Sequence, residues 1–227
     1  MNHRANKPNP VTHQLWSLHN DASNTVSTQA IKTTLPLVAL YCGSRAGHQP
    51  IYAEQSIALA KQLAQQRLGV VYGGASIGLM GQVADTVIQH GGEVVGVIPD
   101  FLLQHEIAHD TLTELYVVDT MHERKAIMAD RASAFVALPG GLGTFEEILE
   151  VATWGQLQQH SKPIVLFNIN NYYQFLIAQL DHAVQEGFLT VQHRAQVIVC
   201  QTVDEVMIAL AKISHEANQP VDPSKID

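Results

Sequence analysis

Apolar residues in this chain gather into short unbroken runs separated by stretches of helical periodicity. The runs cover residues 35–41, 68–72, 94–98, 115–118, 134–138, 163–167 and 197–200. Each is too short for a buried helix and too uniformly apolar for a half-exposed strand, as expected of parallel strands covered on both faces. Between the runs, apolar positions recur at helical spacing through Ile51, Ala58, Leu59 and Leu63, from Gly78 to about Gln89, from Met121 onward, from Thr144 onward, and over 172–186 and 202–213. This alternation predicts an α/β fold: a doubly wound, Rossmann-like, mostly parallel sheet of about seven strands with helices on both faces.

Both flanks lack such a pattern. Residues 1–34 are rich in Asn, Thr, Ser, Gln and His, with Pro8 and Pro10, and are expected to form a mostly disordered tail in which Trp16 and Leu18 are the candidates for docking. The folded domain is expected over 35–215, with a C-terminal tail over 216–227. At 227 residues and 46% hydrophobic, the chain can bury one substantial core. A net charge of −8 argues against DNA, RNA or an anionic membrane as partner, so any bound phosphate must be held by local groups. Cys42 and Cys200 have neither metal-ligand nor redox spacing and read as small buried hydrophobes. With no apolar run of membrane-spanning length and no signal-peptide core, a cytoplasmic protein is expected.

The candidate chemistry lies at the carboxyl ends of the strands. Pro139 stops the fifth run, and Gly140, Gly141 and Gly143 turn the chain into a helix opening at Thr144. A turn of this kind lets backbone N–H groups approach a ligand, and the helix end adds a positive dipole, which together make an anion cradle suited to phosphate. Glu146 and Glu147 follow in the same helix. Thr144 and Glu147 have the T-x-x-E spacing of a capping box, so a structural role and a chemical role for Glu147 both stay open. Glycine turns also follow the first strand, at Gly43–Gly47, and the second, where Gly73, Gly74 and Ser76 are candidates for ligand contact. Arg45 in the first turn reads more readily as a solvated loop residue. Arg124 and Lys125 stand near the start of a helix, where cations are disfavoured and a bound anion would remove the conflict. His105, Glu106 and His109 lack a partner cluster with ligand spacing; the histidines are expected to be solvated, and no metal is expected.

Met121-His-Glu-Arg-Lys125 followed by Leu138-Pro-Gly-Gly-Leu-Gly-Thr-Phe-Glu-Glu147 resembles the paired M-H-x-R-K and P-G-G-x-G-T-x-x-E motifs of the Lonely Guy (LOG) family. These are cytokinin riboside 5′-monophosphate phosphoribohydrolases, some of whose bacterial members have been labelled lysine decarboxylases. The resemblance runs from about residue 35 to 199 and takes in Cys42-Gly-Ser44, Tyr72-Gly-Gly74 and Gly78-Leu-Met-Gly81. It implies an enzyme in which Arg124 and Glu147 are catalytic. It further implies that Ser44, Gly74, Glu106, Lys125, Gly140, Gly141, Leu142, Gly143, Thr144 and Glu146 bind a nucleotide. The substrate implied is AMP or an N6-substituted adenosine 5′-monophosphate, cleaved at its N-glycosidic bond without a cofactor, in a homodimer. Arg124 is expected to keep Glu147 ionised by proximity. The chain departs from the family at Arg45, where a serine is usual, at Ala75, where a third glycine is usual, and at Ser133, where an aspartate is usual. Molybdenum-cofactor carrier proteins resemble the same fold and glycine motif, so a non-catalytic binding protein is the alternative reading. A nicotinamide dehydrogenase is disfavoured because neither turn has the G-x-G-x-x-G spacing, and a pyridoxal-phosphate decarboxylase because no Schiff-base lysine with an aspartate partner stands out.

Overall fold

The computed structural model describes residues 33–103 and 108–213. The expected disorder of the N-terminal tail, the docking of Trp16 and Leu18, and the positions of His105, Glu106 and residues 216–227 all lie outside them. Within them the seven expected strands are present: β1 (Leu37–Tyr41), β2 (Gly69–Tyr72), β3 (Val94–Pro99), β4 (Glu114–Val118), β5 (Ala132–Ala137), β6 (Ile164–Phe167) and β7 (Val197–Cys200). They form one sheet in the order β4-β3-β2-β1-β5-β6-β7, and every neighbouring pair is parallel. The helices are α1 (Pro50–Gln65), α2 (Gly78–Gln89), α3 (Met121–Arg131), α4 (Leu142–Gln156), α5 (Gln174–Gln185), α6 (Val191–Ala195) and α7 (Val203–Ala209). Five-residue α6 is too short to show periodicity; Thr190 caps it.

Alternate strand residues feed two cores. Val38, Leu40, Val70 and Val136 pack under α1, α2 and α7, while Leu37, Ala39, Val71 and Phe135 pack under α3, α4 and α5. Helices therefore cover both faces, as doubly wound sheets require. Chain direction across the sheet reverses between β1 and β5, and their carboxyl ends splay into the crevice where such sheets bind ligands.

Some buried polar groups depart from the sequence pattern. Edge strand β4 begins one residue early, on Glu114, whose two oxygens accept from Arg131 Nη1 and Nη2 at 3.0 and 3.1 Å and from the Tyr116 hydroxyl at 2.6 Å. Burial works to raise the pKa of Glu114, but these bonds and those from Thr33 outweigh it and hold the carboxyl at about 2. Thr33 and Thr34, expected in the tail, belong to the body: Thr33 donates to Glu114 and Thr34 to Glu93. His109 is not solvated either. It is buried, with Nε2 3.0 Å from Asp85 Oδ1, because its backbone N–H docks on Gly74 and carries the ring inward. Among the described residues no helix is long and apolar enough to cross a membrane.

Candidate active site

Helix α4 starts at Leu142, two residues before the pattern predicts, with Gly141 as its N-cap and no side chain capping it. Thr144 is thus inside the helix, and its pairing with Glu147 as a capping box is excluded. The same spacing does cap elsewhere: the Glu123 N–H donates to Thr120 Oγ1 at 3.1 Å and the Glu205 N–H to Thr202 Oγ1 at 3.2 Å. Glu147 is the sixth residue of α4, only 7% exposed, and needs a reason other than capping to be there.

Its partner is Arg124, also 7% exposed, whose Nη2 lies 3.5 Å from Glu147 Oε1. The two stand 23 positions apart with all of β5 between them, so α3 and α4 must pack on the same face of the sheet for the charges to meet. Gly73, at the end of β2, makes room for the contact. A Cβ there would collide with Arg124 Nη2 and lie 3.2 Å from Cζ, so this glycine seats the guanidinium. The Arg124 Nε is buried without a hydrogen-bond partner among the described residues, a donor left for a ligand.

Burial is the largest influence on Glu147 and raises its pKa. Arg124 opposes it, while Glu146 and Glu150 add to the rise, and the carboxyl is left at about 7. Arg124 favours the ionised form, as expected from its proximity, but does not bring the carboxyl down to its ordinary range. At 3.5 Å the guanidinium makes no good hydrogen bond and does not offset desolvation. A carboxyl poised near neutrality is what a general base requires. Lys125 stands beside the pair, with Nζ 2.5 Å from Glu146 and 3.1 Å from Glu150, so its charge is already shared between two carboxylates. Burial acts to lower the pKa of Lys125, and these bonds outweigh it. The thiol of Cys42 is pushed up by burial first and by Glu147 next, which removes it as a nucleophile.

The remaining candidates divide. Ser44, Gly140 and Gly141 line a cleft of about 370 Å³ that also includes Arg45, Tyr52 and Tyr172. Gly140 is required: a Cβ would strike the buried Thr144 hydroxyl and lie 2.9 Å from the backbone N of Gly43. No described residue lies within 4 Å of where a Cβ would stand on Gly141 or Gly143, and residues 141–143 are exposed, so the start of α4 is open to approach. Leu142 between them is 86% exposed. Gly74, with φ +80° and a virtual Cβ 3.2 Å from Ile98, packs closely on β3, and its carbonyl accepts the His109 N–H. Ala75, where the family carries glycine, is fully buried and pairs with Ala108. Two tyrosines escaped the sequence reading: the Tyr172 hydroxyl donates to the Gly140 carbonyl, and the Tyr173 hydroxyl donates to the Leu138 carbonyl at 2.6 Å. Paired aromatics in the connection after β6 are the signal that would have found them. Among the described residues no three His, Cys, Asp or Glu side chains form a metal-binding group.

Three comparisons bear on this arrangement. The family model described as “Possible lysine decarboxylase” matches residues 80–210. A cytokinin riboside 5′-monophosphate phosphoribohydrolase of Rhodococcoides fascians is 46% identical over 83% of this chain and 95% of its own length. One from Arabidopsis thaliana is 42% identical over 83% of this chain and 87% of its own. Among solved structures, the molybdenum cofactor binding protein of Rippkaea orientalis superimposes with a TM-score of 0.60 at 18% identity, covering 80% of this chain and 99% of that one. The molybdenum cofactor carrier protein of Chlamydomonas reinhardtii gives 0.60 at 19%, covering 79% and 98%. At these identities the structural likeness bears on the fold alone.

Proposed function

The chain belongs to the Lonely Guy (LOG) family, and from that premise we propose that it hydrolyses the N-glycosidic bond of adenosine 5′-monophosphates, plain or N6-substituted, to free base and ribose 5-phosphate. The observation that carries this is the buried Arg124–Glu147 pair, two charges removed from water beside an open helix N-terminus. A pure carrier has no evident need of such a pair, which sets the cofactor-binding alternative behind the enzyme.

In the reaction the ribose gains positive charge as the bond from C1′ to the base breaks. The Glu147 carboxylate stabilises that charge and takes a proton from the water whose oxygen bonds to C1′, while the departing base acquires its own proton from solvent. Arg124 offers its unpartnered Nε–H to the substrate and orients Glu147. Free backbone N–H groups at the start of α4, next to Gly141 and Gly143, receive the 5′-phosphate. Activity on AMP should exceed that on adenosine at least tenfold, since each charge-assisted contact is worth about 1.5–3 kcal/mol. Chromatographic assay of free adenine checks this, and equal rates on the two compounds would remove the phosphate from the cradle.

The working unit is proposed to be a cytoplasmic homodimer. Met121 at the start of α3 and Leu149 and Leu157 along α4 are exposed apolar residues that could form the contact, whereas Trp154 packs partly buried against the core beneath α4. Sedimentation at micromolar protein should show a dimer. A monomer that keeps full activity would rule out an obligate one.

A further inference from the structure

We infer that Arg45 is a specificity-determining residue that adds a side-chain cation to the phosphate subsite. The inference rests on the nucleotide reading above and concerns the phosphate-bearing end of the substrate. Arg45 lies in the turn after β1 and lines the cleft whose other wall is Pro139, Gly140 and Gly141, at the point where the sheet reverses direction. No hydrogen bond or ion pair ties its guanidinium to another described residue. Its companions in the cleft are Gly43, Ser44, Ala46, Gly47, Tyr52, Leu79 and Tyr172, together with that wall, and none of them carries a charge. Arg45 is thus an exposed cation at a cleft whose lining supplies no carboxylate to neutralise it.

Lys61, Arg67 and Lys212 also form no ion pair among the described residues, but of these four cations Arg45 alone lines the cleft. Net charge is −8, and the two cations beside the catalytic carboxyl are already committed, Arg124 to Glu147 and Lys125 to Glu146 and Glu150. The backbone carrying Arg45 is also fixed. A Cβ on Gly78, at the start of α2, would clash with the Ser44 carbonyl and lie 2.6 Å from the Arg45 N; a Cβ on Gly43 would lie 3.0 Å from the Arg45 O. The turn is clamped between those two glycines, so Arg45 projects from a preorganised base and only its side chain must order on binding. Across the cleft, Gly141 leaves its backbone open, and a phosphate placed there meets N–H groups on one side and a planar, bidentate donor on the other. A serine at position 45 would offer a hydroxyl of shorter reach and no charge.

The test is calorimetric titration of the full chain with ribose 5-phosphate, with ribose as control, on wild type, Arg45→Ser and Arg45→Lys. Arg45→Ser is expected to weaken ribose 5-phosphate binding about tenfold or more, with the lysine variant between the two, the scale of one charge-assisted bond. In AMP assays the same loss appears in KM and not in kcat. Unchanged affinity in Arg45→Ser, or no binding of ribose 5-phosphate by the wild type, overturns the inference. Because the titration needs no turnover, a wild type that binds through Arg45 but releases no adenine from AMP removes the enzyme reading and leaves this one. A wild type that cleaves AMP with the same KM as Arg45→Ser does the reverse.

Discussion

Glu147→Gln should lower kcat on AMP by roughly 10²–10³ or more, the scale of losing one preorganised electrostatic group, while thermal stability holds at or above wild type. Stability should hold because the native carboxyl resists desolvation. Its folded pKa of about 7 lies above the ordinary 4.5, so its contribution to folding is fully present below about 4.5 and is lost as pH rises toward and through 7. A neutral amide escapes that loss. The same ionisation sets the pH profile. If the carboxylate is the working form, kcat/KM on AMP should fall about tenfold per unit on the acid side of 7, and the residual activity of Glu147→Gln should lack that limb. Arg124→Ala should be comparably inactive, and the double variant should lose less than the product of the two, since paired groups act as a unit. Near wild-type turnover by Glu147→Gln would leave this carboxyl without a chemical role.

Gly73→Ala is the second large effect, and it separates position from chemistry because no charged group is changed. The added methyl meets the Arg124 guanidinium and, at 3.1 Å, the Met80 sulfur, both of them ends of flexible side chains. The fold therefore accommodates it by moving the guanidinium, and a displacement on the order of 1 Å at a catalytic group can cost about 10²-fold in rate. Activity should fall by about that factor with an unfolding midpoint close to wild type. A Gly73→Ala protein as active as wild type would show that the seat beneath Arg124 is not needed; an unfolded one would place Gly73 in the core. Gly74→Ala is the contrasting change, since φ of +80° strains any L side chain there and the cost falls on stability.

The five inner strands were legible because a parallel strand buried on both faces must be apolar without interruption, while edge strands β4 and β7 showed the same apolar runs although Leu115, Val117 and Ile198 face outward. The start of α4 was not. Gly143 inside a helix contradicts local propensity, and only the need to leave N–H groups near Gly141 uncapped makes sense of it. Motif spacing singled out Arg124 and Glu147, but the T-x-x-E pattern gives no sign that Glu147 is buried as the sixth residue of its helix. The meeting of the pair depends on two helices sharing one face and on empty space above Gly73, and neither is written in local sequence. The same limit applies to Glu114 and His109, whose partners Arg131 and Asp85 stand 17 and 24 residues away.

The reversal of strand order between β1 and β5 also has a bearing on how the chain folds. The β2–β3–β4 side of the sheet supplies Gly73, the segment after β4 supplies Arg124, and the segment after β5 supplies Glu147. Until β5 docks beside β1, a pairing about 95 residues apart along the chain (Leu37 with Ala132), Arg124 and Glu147 stay separately hydrated and neither bears the penalty of burial. The unfavourable desolvation of Glu147 is thus a cost of joining the two halves, offset by the apolar contacts that β5 makes in both cores. Catalytic competence in this fold is a property of the joined sheet that neither half possesses.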